Sequence, residues 1–222
     1  MQYLALACDY DGTLACNGRV SDETLTALEE ILKSGRKLIL VTGRQLEELL
    51  LVFPQVRLFE RVVVENGAVL YRPNTEQIVP LADSASERLV AALRERKILP
   101  LSVGRVIVAT QRPHNSKALE LIFSLGLDHE VILNKEAVMI LPRGVNKGTG
   151  LQLALEELDL SPGAVVGVGD AENDVAFLDL CGYAAAVGNA LPQVKEKVDF
   201  VTLSDQGQGI VELVKHLLTY DS

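Results

Sequence analysis

Short apolar runs alternate with stretches of helical spacing along most of the chain. Five runs rich in Val, Ile, Leu and Ala have the length of strands, and they occupy 3–8, 37–44, 61–71, 163–170 and 183–190. Helical spacing is found at 21–35, 147–160 and 172–182. Strands that are apolar on both faces and alternate with helices are typical of a parallel sheet covered on two sides. The pattern therefore predicts an α/β fold, in which ligands bind beyond the carboxyl ends of the strands.

Local signals define two of these elements more closely. Ser21 is a good N-cap for the helix over 21–35, with acidic residues in its first turn and Gly35 at its end. In the run at 61–71, Asn66-Gly67 separates two apolar halves, which is typical of a hairpin with a two-residue turn. That reading keeps Asn66 out of the candidate catalytic residues.

One stretch of about sixty residues departs from the alternation of strands and helices seen in the rest of the chain. Its spacing predicts, in order, a helix, a strand, a helix and two strands, at 85–96, 105–111, 115–126, 130–134 and 137–142. Pro80 precedes the stretch and Pro142-Arg143-Gly144 follows it, and both are suited to a hinge. We therefore expect a small α/β domain over 81–142, inserted into a larger domain built from 1–80 and 143–222.

The bulk composition narrows the class of protein. The chain has 222 residues, 48% of them hydrophobic and 23% charged, and a net charge of −9. No Lys/Arg-rich stretch stands out, so we expect neither a nucleic acid nor an anionic membrane as partner. No segment approaches the roughly 18 apolar residues that span a bilayer. The three cysteines lack the spacing of a zinc site, so we expect reduced thiols and a cytoplasmic protein. Asp9 interrupts the first apolar run too early for a secretory signal.

Two carboxylates end the first predicted strand. Asp9 and Asp11 stand at i and i+2, so both side chains fall on the same side of an extended chain. A carboxylate such as Asp9 can attack a phosphoryl group and form an aspartyl-phosphate. Asp11 can donate a proton to a leaving group and later deprotonate water. The pair predicts nucleophilic and acid–base chemistry at one edge of the sheet.

Other strand ends supply groups that suit a phosphate and a metal ion. Thr42 and Gly43 offer a hydroxyl and backbone N–H groups to phosphate oxygens, and Lys147 supplies a positive charge at the start of a helix. Asp170, Asn173 and Asp174 stand at i, i+3 and i+4, on one face if a helix begins there. Such hard oxygen ligands suit Mg²⁺.

The charges of these groups also predict a metal ion. Asp9, Asp170, Asp174 and a dianionic phosphoryl group would repel one another strongly in one cleft. Mg²⁺ and Lys147 offset much of that repulsion and allow the cluster to stay ionised.

Four of these segments together resemble the ordered motifs of the haloacid dehalogenase (HAD) superfamily. They are DYDGT, VTGR, the Lys147-Gly148 pair and GDAENDVAFL. VVVENGA and AAAVGNA resemble further blocks of the Cof-like, type IIB-capped branch, in which a cap is inserted between the second and third motifs. The resemblance implies a Rossmann-like parallel-sheet core with a small α/β cap, and a Mg²⁺-dependent phosphatase.

The resemblance also implies a role for each matching residue. Asp9 is then the nucleophile and Asp11 the general acid and base. Phosphate binding is implied for Thr42, Gly43, Lys147 and Asn173. Metal binding is implied for Asp9, Asp170, Asp174 and the main-chain carbonyl of Asp11, with Asp174 and Asn173 also orienting the metal shell and Lys147. As a weaker transfer, Asn189 is expected near the phosphate.

Several alternatives stay open from the sequence. Arg44 either reaches the substrate or forms a salt bridge, Cys8 is expected to pack in the core, and His114 is either a surface residue or a substrate contact. A phosphomutase would share the core residues but needs more basic residues in the cap, and a receiver-like signalling module would be shorter and lack DxDGT. We expect a small phosphorylated metabolite as substrate, phosphoglycolate or a sugar phosphate, and a monomer or homodimer.

Overall fold

The computed structural model describes residues 2–220 and folds them around two β-sheets. In chain order, the strands are β1 Ala5–Cys8, β2 Lys37–Val41, β3 Arg61–Val64, β4 Val69–Arg72, β5 Gln77–Pro80, β6 Ser102–Val103, β7 Val108–Gln111, β8 His129–Asn134, β9 Ala137–Pro142, β10 Val165–Gly169, β11 Tyr183–Ala186 and β12 Phe200–Val201. The α-helices are α1 Asp22–Lys33, α2 Leu46–Val52, α3 Glu87–Glu95, α4 Asn115–Ser124, α5 Lys147–Glu157, α6 Val175–Leu178, α7 Pro192–Lys195 and α8 Gln206–Tyr220.

The larger sheet has eight strands in the order β12-β11-β10-β1-β2-β3-β4-β5. The six strands from β12 to β3 run parallel, and β4 and β5 continue the sheet as antiparallel strands. β1 lies between β10 and β2, so Leu6 pairs with Val166 on one side and Leu38 on the other. The predicted α/β fold is confirmed, and the carboxyl ends of β1, β2 and β10 meet at one edge.

The first helix forms as its end signals predict. The Ser21 side chain accepts a hydrogen bond from the backbone N–H of Thr24, and α1 ends before Gly35, whose φ is +87°. Leu28 and Ile31 are fully buried. Burying one such side chain contributes roughly 1.5–3 kcal/mol, so this face of α1 fixes the helix on the sheet.

The smaller sheet is built entirely from the inserted stretch. Its strands follow the order β6-β7-β9-β8, and all its pairings are antiparallel. An apolar cluster that includes Leu89, Leu121 and Ile140 packs α3 and α4 against one face. Ile107 and Met139 belong instead to the apolar cluster of the larger sheet. We call residues 81–142 the cap segment and the rest the core; the exact domain limits at 80/81 and 142/143 stay a prediction.

Three sequence expectations need correction. The strand expected over 105–111 starts only at Val108, because the preceding backbone N–H groups bind a side chain of the core. The helix expected over 172–182 is a short 3₁₀ turn at Glu172–Asp174 followed by α6. The expected two-residue hairpin turn is wrong, because Val64 pairs with Val69 and the connection between them is a 3₁₀ turn with Asn66 in a left-handed conformation.

In the part of the chain that the structure describes, six α-helices and strands were not predicted: α2, α7, α8, β5, β6 and β12. The side chains of β5 are mostly exposed, β6 and β12 have only two residues each, and α7 has four. Helix α8 did carry a readable signal, since Ile210, Leu213 and Leu217 recur at helical spacing and are buried. Of the helices between residues 2 and 220, none has the length and hydropathy of a bilayer-crossing segment.

Candidate active site

Lys147 connects two carboxylates at the carboxyl edge of the larger sheet. Asp9 directly follows β1, and Lys147 is the first residue of α5. The Lys147 Nζ donates to Asp9 Oδ1 at 2.5 Å and to Asp174 Oδ1 at 2.6 Å. Lys147 is only 1% exposed, so both ion pairs lie out of water. The structure therefore brings together the predicted nucleophile and the predicted phosphate-binding lysine.

Asp170 and Asp174 complete an acidic cluster with Asp9. The second oxygen of Asp174 accepts hydrogen bonds from the backbone N–H groups of Asp170, at 2.8 Å, and Ala171, at 2.9 Å. Asp170 directly follows β10 and precedes the 3₁₀ turn, so the expected common helix face is wrong. The two acids meet because the Asp174 side chain folds back over the end of β10.

A lysine of the cap segment also reaches this cluster. The Nζ of Lys135 donates to Asp170 Oδ2 at 2.6 Å, and its backbone N–H donates to Glu172 at 3.2 Å. The other oxygen of Asp170 accepts from the Thr13 hydroxyl at 3.3 Å. Lys135 lies in the turn between β8 and β9 with a φ of +51°. This contact could not be predicted from the residue pattern, because nothing in the pattern shows where the turn of an inserted segment meets the core.

Burial and mutual repulsion govern the protonation of the cluster. Burial raises the pKa of Asp9, and the Asp174 carboxylate adds to that rise, while Lys147 opposes it. Burial also raises the pKa of Asp170, against the lowering effect of Lys135. Burial alone would lower the pKa of Lys147, but Asp174 and Asp9 outweigh it and the pKa is raised. The raised pKa of Lys147 keeps the lysine charged, whereas the raised pKa values of Asp9 and Asp170 mean that these two carboxylates favour a further cation nearby.

The three acids fit a hard divalent cation. One carboxylate oxygen from each of Asp9, Asp170 and Asp174 lies within 4.8 Å of the others. When all three carboxylates are ionised, Lys147 and Lys135 leave one negative charge uncompensated, before any phosphate adds its own. Oxygen donors and excess negative charge are the conditions that Mg²⁺ requires.

Asp11 and Arg44 form a separate pair beside the cluster. Arg44 binds Asp11 through two hydrogen bonds, from Nε at 2.6 Å and from Nη2 at 2.7 Å. Of the two open possibilities, Arg44 therefore forms the salt bridge. The Asp11 carboxylate is not part of the acidic cluster, so only its main-chain carbonyl remains a candidate for the metal.

Thr42 and Gly43 follow β2 at the same edge. The Thr42 hydroxyl is buried and accepts from the backbone N–H of Arg44 at 3.2 Å, which curls the chain over the strand end. Met139 of the cap segment lies above Gly43, 3.6 Å from where a Cβ would stand. The loop is thus confined between the core and the cap segment.

Asn173 binds Asn66, a residue that the sequence pattern did not place among the candidate catalytic residues. Its Nδ2 donates to Asn66 Oδ1 at 2.8 Å, and both residues are buried. Within residues 2–220, the Nδ2 of Asn66 and the Oδ1 of Asn173 are buried without a hydrogen-bond partner. Each of the two amides is therefore only partly satisfied by protein groups. Asn66 was missed because Asn-Gly was read only as a turn.

Three further residues have contacts that define their roles. Asn189 donates to the Gly12 carbonyl at 2.8 Å and accepts from the Gln206 backbone at 2.7 Å, so it braces the loop after Asp11. Cys8 is fully buried in the core cluster, as expected. The Nε2 of His114 lies 3.2 Å from the Leu99 carbonyl, inside the cap segment.

A cavity of about 200 Å³ lies between the core and the cap segment. Its walls are formed by Asp9, Asp11, Thr42, Gly43, Arg44 and Glu48 from the core and by Ile107, Ala109, Asn134, Ala137 and Met139 from the cap segment. Pockets for drug-sized ligands usually measure about 300–1,000 Å³, so this cavity suits a smaller molecule. The core side is polar and charged, and the cap side is mainly apolar.

Known proteins resemble this chain over nearly its whole length. A family model described as haloacid dehalogenase-like hydrolase matches residues 6–105 and 131–214. A phosphoglycolate phosphatase of Methanothermobacter thermautotrophicus is 30% identical, over 96% of this chain and 98% of its own. Phosphoglycolate phosphatase 2 of Saccharolobus solfataricus is 31% identical, over 97% of this chain and 93% of its own.

Solved structures share the fold. A haloacid dehalogenase-like hydrolase from Bacteroides thetaiotaomicron superposes with a TM-score of 0.81 at 18% identity, covering 97% of this chain and 99% of that one. A subclass IIB sugar phosphatase superposes with a TM-score of 0.78 at 20% identity, covering 96% and 98%. Together with the family match and the four motifs at one sheet edge, these likenesses identify the chain as a member of the haloacid dehalogenase-like hydrolase family.

Proposed function

We propose that this protein is a Mg²⁺-dependent phosphatase for a small organic phosphate monoester, with phosphoglycolate as the favoured substrate. The observation that carries the proposal is the buried Asp9–Lys147 pair at the wall of a cavity of about 200 Å³. The phosphoglycolate phosphatases among the relatives point in the same direction. A cavity of this size admits a leaving group of two or three carbons more readily than a folded macromolecule.

The first half-reaction transfers the phosphoryl group to the protein. An Asp9 oxygen forms a bond to phosphorus while the bond from phosphorus to the alcohol oxygen breaks. Asp11 gives its proton to that departing oxygen. Lys147, Thr42 and the backbone N–H groups around Gly43 hold the phosphoryl oxygens during the transfer.

The second half-reaction returns the protein to its starting state. Asp11, now ionised, accepts a proton from water, and the water oxygen forms a bond to phosphorus as the Asp9–phosphorus bond breaks. Arg44 holds the ionised Asp11 carboxylate in place for this second step through its two hydrogen bonds. Inorganic phosphate then leaves.

Asp9, Asp170 and the main-chain carbonyl of Asp11 would hold Mg²⁺, with Asp174 and Asn173 arranging its surroundings. When bound, the ion neutralises negative charge on the carboxylates and on the phosphoryl oxygens. Chelation with EDTA should therefore abolish turnover, Mg²⁺ should restore it, and the larger Ca²⁺ should inhibit. Full turnover in excess EDTA would contradict the metal assignment.

The basic residues of the cap segment favour hydrolysis over a phosphomutase reaction, because three of them already pair with acidic residues. Arg96 pairs with Glu120, and Arg105 pairs with Glu47, so these two are not aimed at the cavity. Lys135 does reach the cluster, but it pairs with Asp170. A bisphosphorylated intermediate would need more cations than this. The alternative of a receiver-like signalling module is wrong, because the chain belongs to a hydrolase family.

The test compares kcat/KM of the purified protein for phosphoglycolate, hexose and triose phosphates, a phosphopeptide and a 5′-phosphorylated oligonucleotide. We expect the highest value for phosphoglycolate, and none above background in the Asp9→Asn variant. More efficient turnover of either polymer than of every metabolite would overturn the small-substrate assignment. The three free cysteines suit the cytoplasm. Sedimentation would distinguish between a monomer and a homodimer, the two expected states.

A further inference from the structure

Glu65 is a buried carboxylate that the proposed reaction does not use. It belongs to the 3₁₀ turn Glu65–Gly67 of the core and is 1% exposed. Its oxygens accept hydrogen bonds from three successive backbone N–H groups of the cap segment: Arg105 at 2.9 Å, Val106 at 2.8 Å and Ile107 at 2.9 Å. A buried carboxylate is costly unless its oxygens are bonded, and these donors supply what it needs.

The cap segment is shaped to receive this carboxylate. The backbone N–H of Gly104 donates to the Ile107 carbonyl at 2.8 Å, which closes a tight turn over 104–107. Successive N–H groups that point to one place form an anion-binding concavity. A Cβ on Gly104 would stand 2.7 Å from Glu65 Oε2, so a larger residue there would push the carboxylate out.

The core side of the contact is rigid. Glu65, Asn66 and Gly67 all have left-handed backbone conformations, with φ of 52°, 57° and 107°. The Glu65 N–H donates to the Arg44 carbonyl at 2.8 Å, and the Asn66 N–H donates to the Thr42 carbonyl at 3.0 Å. The turn is therefore fastened to the loop that carries the predicted phosphate-binding residues.

Gly67 fastens the same turn to α5. A Cβ on Gly67 would stand 1.9 Å from the Asn146 carbonyl oxygen and 3.0 Å from the Lys147 backbone nitrogen. Only glycine allows this approach, so the turn lies directly against the start of the helix that carries Lys147. The position of the Glu65 carboxylate is thus fixed relative to the catalytic groups.

One of the residues whose N–H groups bind Glu65, Ile107, belongs to the wall of the cavity that the cap segment forms. We call this wall the roof of the cavity. Ile107 lines the cavity opposite Asp9 and Asp11, and Val106 and Ile107 are buried against the core. The next residue, Val108, begins β7, so the anchored turn continues directly into the smaller sheet. The placement of this turn therefore sets the placement of the roof.

We propose that Glu65 is a positioning residue for the cap segment: its carboxylate binds the turn at 104–107 and so places the roof over the substrate. This inference rests on the proposed function only where phosphatase activity is measured, because the hydrogen-exchange measurement needs no substrate. A substrate aligned under a fixed roof reacts faster, because even a misplacement of about 1 Å can cost about a hundredfold in rate.

Two variants test the contact from opposite sides. Glu65→Gln keeps the size of the side chain but turns an NH₂ group towards backbone donors, and Gly104→Ala changes only the cap side. Glu47→Gln is the matched control, because Glu47 forms an exposed ion pair with Arg105 at 2.6 Å across the same interface. Each variant is measured by amide hydrogen exchange and by kcat/KM for phosphoglycolate.

We expect exchange at Arg105, Val106 and Ile107 to rise about tenfold or more in Glu65→Gln and Gly104→Ala, with β9 and β10 unchanged. Both variants should lose about tenfold or more in kcat/KM, and Glu47→Gln should stay within about threefold of the original protein. Unchanged exchange at the three amides, or an equal rise throughout both sheets, would overturn the proposal. If the original protein does not hydrolyse phosphoglycolate, the proposed function fails, while the exchange result still decides the role of Glu65.

Discussion

Replacement of Lys147 by methionine removes a buried charge without removing much volume. In the structure, Lys147 is 1% exposed and lies 2.5 Å from Asp9 and 2.6 Å from Asp174. Removing one partner of a buried ion pair typically costs about 3–5 kcal/mol, because the other charge stays buried and unpaired. We expect Lys147→Met to lose that amount of unfolding free energy in the absence of Mg²⁺. At about 2–4 °C per kcal/mol for a chain of this size, Tm should fall by about 6–20 °C.

The assay is thermal unfolding followed by circular dichroism, with and without Mg²⁺. Lys33→Met is the control, because Lys33 forms an exposed pair with Glu29 at 3.9 Å, and such pairs contribute about 0–1 kcal/mol. Mg²⁺ should raise Tm more in Lys147→Met than in the original protein, since a cation replaces part of the lost charge. A loss below about 1 kcal/mol, or a loss equal to that of Lys33→Met, would refute the view that Lys147 compensates the buried acids.

Three further outcomes are expected. The Lys135→Met variant should bind Mg²⁺ about fivefold more tightly in calorimetry, because the substitution removes a half-exposed positive charge 2.6 Å from Asp170. Weaker Mg²⁺ binding would show that Lys135 assists the metal. Asp9→Asn should abolish turnover while its circular dichroism stays native, and a near-normal rate would exclude the aspartyl-phosphate route. In the native protein, a thiol reagent should modify exposed Cys16 quickly, and buried Cys8 and half-buried Cys181 much more slowly, because burial raises the pKa of these two thiols. Equal rates at all three cysteines would contradict this prediction.

The sequence was sufficient to predict the groups that follow parallel strands. Asp9, Thr42 and Asp170 each come directly after an apolar run, and parallel strands place their carboxyl ends at one edge. Lys147 could be added because a residue that opens the next helix lies near the same edge. These contacts depend on local periodicity and on sheet topology, both of which the residue pattern encodes.

The contacts between the cap segment and the core were not predictable in the same way. Lys135 and Glu65 each bind a group on the other side of the cavity, and neither contact follows from the periodicity of its own segment. Which turn of the inserted sheet meets which loop depends on how two separate surfaces pack. The irregular geometry after Asp170 was missed for a related reason, since a side chain that folds back to bind backbone N–H groups leaves no periodic signal.

The position of β1 between β10 and β2 also has a consequence for synthesis on the ribosome. β2 emerges soon after β1, but β10 follows only after the whole cap segment, about 130 residues later. β10 begins about 160 residues after β1, so at about 5–20 residues per second one edge of β1 waits roughly 8–32 seconds for its partner. The cap segment pairs only with itself and can fold during that interval, while the apolar edge of the nascent core stays open to other chains. Asp9 is thus made well before Asp170 and Asp174, and its site is complete only when Asp174 has left the ribosome.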